Sequence, residues 1–389
     1  MTKLLTVGYS NKLGGAGRAL GRWEQLLSQS NELELISLHF DDYVSNTKGF
    51  TQKWDLVASK ALSRVESSIG RKFSYSDNGI LSLNSLPTFF GRELMSIKAD
   101  FINLHWVNNE MISISQIKKI KEKIIWTLHD PWLINGLGNY PQRSVSYNPI
   151  EKIGNHVQFV RKEELLKQGA KFIAPSQWIA NLFLANGVQE DHICVIPNPV
   201  PLDDFFPTNV DELRSRVGIR SGKLCVLLAS DSLLSDSRKG MDVAMKILEK
   251  VARQVDINII TFGPFKNFDL GPNTTHFGYI KNNRFLNQIY NLADITFLPS
   301  RMDNLPQIMT ESIASGTPVF ALPHGDAMKL LVGEIGSCAA SHDVDESVNS
   351  FLHYVSQTSN SRRLNIAKEA RYLWNPSKIL SSFHKFIEQ

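Results

Sequence analysis

A chain of 389 residues, 42% hydrophobic and 21% charged, has the composition of a soluble globular protein and is too long for one ordinary core, so two domains are expected. A formal net charge of +4 excludes an electrostatic case for nucleic acid and is compatible with no more than a loose attraction to anionic lipid. Cys194, Cys225 and Cys338 are odd in number and far apart, which excludes a disulfide framework or thiolate cluster and points to a reducing compartment.

The first ten residues do not read as a signal peptide, and no apolar run approaches the roughly 20 residues of a membrane helix. A cytoplasmic protein is expected. Leu4 to Val7 reads as a short strand, Gly8 to Gly17 as a loop and Arg18 to Leu27 as a helix. Gly14 and Gly15 thus fall at a strand-to-helix junction, where glycine either lets backbone approach a phosphate or simply makes a tight turn. The dinucleotide fingerprint is not met, because Leu20 stands where its last glycine belongs. Leu33 to Phe40 is a second strand. Asp41 to Asn84 reads as a polar, irregular insertion with a helical interruption around Leu56–Ser68. Leu86 to Ile97 is expected to be a helix, followed by a strand from Phe101 that carries His105, Trp106 and Asn108 at its carboxyl end.

Ile114 to Lys121 is expected to be helical. Lys118, Lys119, Lys121 and Lys123 crowd it and form either a solvated face or a contact with a membrane surface. Ile124 to Leu128 is the next strand, with His129, Asp130 and Trp132 just past it, where open α/β sheets bind ligands. Val157 to Lys167 reads as a helix. Lys171 to Ala174, a helix to Leu184, and Ile193 to Ile196 complete the first sheet. Pro197-Asn198-Pro199-Val200-Pro201 is a stiff linker. It divides a first domain, 1–200, from a second, 201–375.

The second domain opens with a helix near Asp211–Val217 and a buried strand, Leu224 to Ala229. Arg238, Lys239 and Gly240 then precede a helix to Ala252. Cations are unfavourable at a helix N-terminus, so a diphosphate clamp is one reason for them and an exposed helix start is the other. Ile257 to Phe262 is a strand ending at Gly263-Pro264. Tyr279 follows a little later, as a ligand neighbour or a buried core aromatic. Phe285 to Leu292 is a helix. Asp294 to Leu298 and Val319 to Leu322 are strands that bracket a loop and a helix, with Pro306 in its first turn and Gly316 at its stop. The first amides of that helix suit a phosphate. Asp303 lies before it, with Asn304, Leu305 and Pro306, and Glu311 lies within it. The two carboxylates suit hydroxyl-rich ligands; alternatively Asp303 caps the helix and Glu311 is solvated. Asp343–Val355 and Ser359–Tyr372 are helical, and 376–389 is an amphipathic helix.

An acidic residue, seven others, a glutamate and then Ser315-Gly316-Thr317-Pro318-Val319 resembles the signature of retaining GT-B glycosyltransferases of family four. Asp303 stands where that family usually has Glu. Thr127-Leu128-His129-Asp130-x-Trp132 followed by Gly136 resembles a subgroup that builds bacterial surface polysaccharide, although the cysteines usual in the next loop are missing from Gly136 to Tyr140. Lys239-Gly240 also match, whereas Leu234 stands where the family usually has Arg, and Arg238 is read as its substitute.

The resemblance implies an α/β, GT-B fold: two Rossmann-like domains with parallel sheets facing across a cleft, and a final helix that packs back on the first domain. It implies a metal-independent hexosyltransferase-like enzyme, acting from UDP or GDP sugars on a glycan or lipid-linked oligosaccharide acceptor, with no cofactor. His129, Lys239, Asp303 and Glu311 would be catalytic. Gly14, Gly15, Arg238, Lys239, Gly263, Tyr279, Asp303, Asn304, Leu305, Pro306 and Glu311 would bind the donor, and the insertion with His105, Trp106, Asn108 and Trp132 would meet the acceptor. Closure about residues 197–201 would exclude water. The alternatives are a nucleotide-sugar epimerase or a phosphorylase on the same fold, or a non-catalytic two-domain binding protein.

Overall fold

Short apolar runs, most of them buried on both faces, build two six-stranded parallel sheets, as expected where helices cover each side. The computed structural model describes residues 1–46, 50–72, 82–136, 138–140, 149–219, 222–229, 236–263, 273–357 and 362–389. Leu137, Leu234, Pro264 and part of the 41–84 insertion lie outside them. The chain divides into a first unit, Met1–Pro199 with Pro376–Gln389, and a second, Val200–Asn375.

In the first unit β1 (Thr2–Gly8) leads to α1 (Gly14–Leu27), β2 (Leu33–His39), α2 (Phe40–Asn46), α3 (Phe50–Lys72) and α4 (Phe89–Ser96). Then come β3 (Phe101–His105), α5 (Ile114–Ile117), β4 (Lys123–Thr127), α6 (Pro149–Leu166), β5 (Lys171–Ala174), α7 (Gln177–Ala185) and β6 (Ile193–Val195). The sheet order is β2-β1-β3-β4-β5-β6. Chain direction across the sheet therefore reverses between β1 and β3, where Gly8 pairs with His105. Phe90, Ile102, Leu104, Trp126, Phe172 and Phe183 are among the residues of its core.

The second unit runs α8 (Asp211–Arg216), β7 (Leu224–Ala229), α9 (Met241–Ala252), β8 (Ile257–Phe262), β9 (Thr274–His276), α10 (Asn283–Leu292), β10 (Ile295–Leu298) and α11 (Gln307–Ala314). It continues through β11 (Val319–Ala321), α12 (Ala327–Leu330), β12 (Gly336–Cys338), α13 (Val344–Gln357) and α14 (Arg363–Leu373). Its order, β12-β11-β10-β7-β8-β9, is that of the doubly wound Rossmann sheet, with the reversal between β7 and β10. The last helix, α15 (Pro376–Glu388), belongs to the first unit, where Phe383 packs on Trp23 and Lys171 donates to the Phe386 carbonyl at 2.6 Å.

Several local expectations need correction. The helix after β1 begins at Gly14, with φ +68°, so the glycines form its first turn instead of a preceding loop. The insertion is not mainly irregular: α3 runs for 23 residues. Its polar composition misleads because some of its polar residues face inward. Buried Asp55 accepts from the backbone amides of Phe89 (3.1 Å) and Phe90 (2.7 Å), satisfying the start of α4. The helix expected to carry the lysine cluster is only Ile114–Ile117, opened by a Ser113–Gln116 capping box. Lys118 pairs with Glu164, and Lys123 begins β4 with its ammonium over the Phe101 ring, so the four lysines share no helical face. α6 starts at Pro149, eight positions before Val157, as suits proline at a first helical turn.

Candidate active site

The loops leaving β7 and β10 meet at the reversal point of the second sheet. Gly240 adopts φ +68°, and a Cβ there would collide with the Pro299 carbonyl oxygen, so only glycine lets the turn before α9 press against the end of β10. The Arg301 amide donates to the Arg238 carbonyl at 2.7 Å, and the Arg301 guanidinium donates to the Ser237 carbonyl at 2.8 Å. These contacts bring Lys239 Nζ to within 2.6 Å of Asp303 Oδ2, with the two side chains only 21% and 14% exposed. Arg238 makes a two-pronged contact with Asp236, at 3.1 and 2.5 Å. Each cation near this helix start thus has a carboxylate beside it, which offsets the unfavourable dipole.

Burial pushes the Asp303 carboxyl up, but the charges of Lys239, His324 and Arg238 outweigh it and hold the group below its ordinary value. Asp303 Oδ1 accepts from the Asn304 amide at 3.1 Å. Pro306, and not Asp303, occupies the N-cap of α11, so Asp303 is not the cap residue of that helix. The solvated alternative for Glu311 fails as well: it is 3% exposed and accepts from the Tyr290 hydroxyl at 2.7 Å. Leu305 and Pro306 are partly buried in the same loop.

Two contributors escaped the sequence reading. Tyr290 reaches Glu311 from α10, 21 positions earlier, and no local pattern announces that pairing. His324 is buried beside Asp303, its Nδ1 lying 2.8 Å from the Leu322 carbonyl. Burial draws its pKa down, against the pull of Asp303. A Cβ on Gly325, at φ +49°, would lie 2.5 Å from the Asp303 carbonyl oxygen, so the turn after β11 props the Asp303 loop. After β8, the Gly263 amide donates to the Gly278 carbonyl at 3.0 Å, joining that strand's exit to the segment of Tyr279. Tyr279 is 46% exposed, which corrects the core-aromatic alternative.

In the first unit, α1 starts beside the end of β1, and a Cβ on Gly15 would enter open space. His129 follows β4. Its Nε2 lies 3.0 Å from His105 Nδ1, and burial pulls its pKa to about 4. His105, Asn108 and Trp132 are 1%, 1% and 2% exposed, so a direct acceptor contact by these three side chains is corrected: they form the packed wall behind the surface. Trp106 holds φ +44°, an uncommon conformation for a bulky residue, and its indole N–H donates to Asp130 Oδ2 at 2.9 Å. Asp130 Oδ1 accepts from the Trp132 amide at 3.0 Å. A third missed residue fixes the same loop. Fully buried Lys162 donates to the carbonyls of Trp132 (2.7 Å), Asn135 (3.0 Å) and Gly136 (2.7 Å), and its ammonium sits 4.4 Å from the Trp132 ring centroid.

Among the described residues, one group has the reach to hold a cation: Glu32, His384 and Glu388. None of the three belongs to the residues assembled above.

Two Rossmann-type sheets, with paired cations and carboxylates at a reversal point, define an α/β protein of the GT-B glycosyltransferase class. Residues 32–204 match the model of Glycosyltransferase Family 4, and residues 225–357 match that of Glycosyl transferases group 1. The chain belongs to this glycosyltransferase family.

A putative colanic acid biosynthesis glycosyl transferase, WcaC, of Escherichia coli K12 is 24% identical over 273 residues. The match takes in 62% of this chain and 64% of that protein, somewhat under two thirds of the relative's length. Among solved structures, sucrose-phosphate synthase of Thermosynechococcus elongatus has a TM-score of 0.69 at 13% identity, covering 100% of this chain and 99% of that one. Anabaena Alr3699/HepE in complex with UDP-glucose has a TM-score of 0.68 at 14% identity, covering 100% of each. At these identities the structural likeness is one of fold.

Proposed function

We propose that this protein transfers a glycosyl group, with retention of anomeric configuration, from a nucleoside-diphosphate sugar to a glycan or lipid-linked glycan acceptor in polysaccharide synthesis. The observation that carries the proposal is the Lys239–Asp303 pair, with Arg238 alongside, at the reversal point of the second sheet. The name of the E. coli relative supports the polysaccharide context, and the UDP-glucose held by the Anabaena protein supports the donor class.

The second unit would hold the donor. Lys239 would exchange Asp303 for oxygens of the diphosphate, and Arg238 and the first amides of α11 would meet the remaining charge. Asp303 would then accept from a sugar hydroxyl, and Glu311, steadied by Tyr290, from the ribose. The bond from the anomeric carbon to the diphosphate breaks, the acceptor oxygen bonds to that carbon on the same face, and its proton passes to the leaving phosphate. As proposed, the reaction uses neither a metal ion nor a protein base. UDP and GDP donors both fit this chemistry.

Glu311→Ala is expected to lower donor turnover at least about a hundredfold, and Lys239→Ala to weaken diphosphate binding at least about tenfold. Turnover by single-point product analysis and binding by calorimetry with UDP and GDP sugars measure these effects; wild-type values in both variants would remove the assignment.

A lipid-linked acceptor would bring the protein to an anionic bilayer as a peripheral partner. The surface that supports this is α3 and not the lysines near Ile117: Lys53, Trp54, Val57, Lys60 and Arg64 recur at helical spacing and all are exposed. Wild type should sediment with vesicles containing anionic lipid, and Trp54→Ser with Lys60→Glu should not. Equal sedimentation with neutral vesicles, or by the double variant, counts against this surface.

A further inference from the structure

The carboxyl ends of β3 and β4 set two imidazoles against each other. His105 Nδ1 and His129 Nε2 lie 3.0 Å apart, with ring centroids 5.2 Å apart and planes inclined by 37°. One proton lies between them, so one nitrogen donates and the other accepts. His105 is 1% exposed and its Nε2 meets no partner. Were His129 the donor, the neutral His105 would carry its own proton on Nε2, leaving a buried N–H with nothing to bond. Orphaned buried donors are the rarer and costlier defect. With the roles reversed, His105 spends its only N–H on His129 and buries a bare lone pair. Burial draws both rings below their ordinary value, and for His105 a positive charge on His129 or His39 would act in the same direction, so the neutral form of each is favoured at pH 7.

We propose that His105 is a positioning residue that donates from Nδ1 to His129 Nε2 and thereby locks His129 as the Nδ1–H tautomer. Every hydrogen bond His129 makes from its ring outside the pair is then made as a donor. Resting on the transferase reading above, this assigns His129 to an oxygen of the sugar or acceptor as a hydrogen-bond donor, and excludes it as the base that takes the acceptor proton.

The test is the ring-nitrogen spectrum of the full-length wild-type protein labelled with ¹⁵N at histidine, at pH 7, with rings assigned by through-bond correlation to the backbone. Both rings should be neutral with Nδ1 protonated and Nε2 bare. A proton on Nε2 of either ring, or a charged ring, overturns the proposal. His105→Leu should lower kcat about tenfold or more while the donor KM stays within about twofold. His105→Asn, whose amide nitrogen can stand near the Nδ1 position, should recover most of that loss. An unchanged kcat in His105→Leu overturns the positioning role. Because the spectrum needs neither a variant nor a substrate, the tautomer assignment stands or falls apart from the transferase reading.

Discussion

Glu24 lies on the inward side of α1, among the apolar residues that hold the helix to the sheet. It is 9% exposed and accepts from Thr6 Oγ1 at 2.7 Å and Asn11 Nδ2 at 3.1 Å, with His39 Nε2 at 2.8 Å. His39 also meets Asp42 at 3.0 Å. Burial opposes charge on both groups. The bonds from His39, Thr6 and Asn11 nevertheless hold Glu24 below its ordinary 4.5, and Glu24 and Asp42 hold His39 above its ordinary 6.5. The raised histidine stabilises fully below pH 6.5 and stops doing so as pH climbs through its folded value. The depressed glutamate stabilises above pH 4.5 and stops as pH falls through its folded value. The margin in melting temperature of wild type over His39→Gln should therefore be widest between these two pH values and shrink as pH rises above 6.5. A margin independent of pH from 5 to 9 would show that His39 is not charged in the folded protein. Nothing in the sequence marked this network, because its members lie on β1, the loop after it, α1, β2 and α2 and meet only once the sheet has formed.

The loop from His129 to Gly136 shows how an element can be fixed from outside itself. Its sequence offers turn residues but no reason for one conformation. That reason is Lys162, one turn from the end of α6, whose three protons meet three carbonyls. Burial brings its pKa down to about 7, with Asp130 pulling the other way. Lys162→Met keeps the stem and removes the donors; each stripped carbonyl costs about 1–3 kcal/mol. The unfolding free energy from urea titration should fall by about 3 kcal/mol or more, or, where water refills the site, the loop amides should lose hydrogen-exchange protection. Unchanged stability and protection would show that the loop holds itself. Strands dominated by apolar residues, such as Leu224–Ala229 and Ile257–Phe262, were legible to the residue. α3 was not, because Asp55 and Ser59 face inward and break the apolar period that a sequence reader follows.

At the scale of the molecule, the alternation of strands and helices pointed to parallel sheets, while the Asp303-to-Glu311 spacing left a capping role and a binding role open, and only the resemblance carried by those residues and Ser315–Val319 singled out that loop and helix as the candidate site. What the sequence withheld were partners distant along the chain: Tyr290 for Glu311, His324 for Asp303 and His105 for His129. Such pairings depend on strand order, which periodicity does not encode.

The return of α15 to the first unit has a consequence for biosynthesis. The first unit is discontinuous, with residues 200–375 inserted between its main body and its last helix. Trp23 cannot acquire its Phe383 neighbour until the ribosome has translated the whole insert. The second unit, contiguous along the chain, can finish folding while the first still waits for its closing piece. During that interval a nascent chain would leave Trp23 and its surroundings uncovered, available to a chaperone.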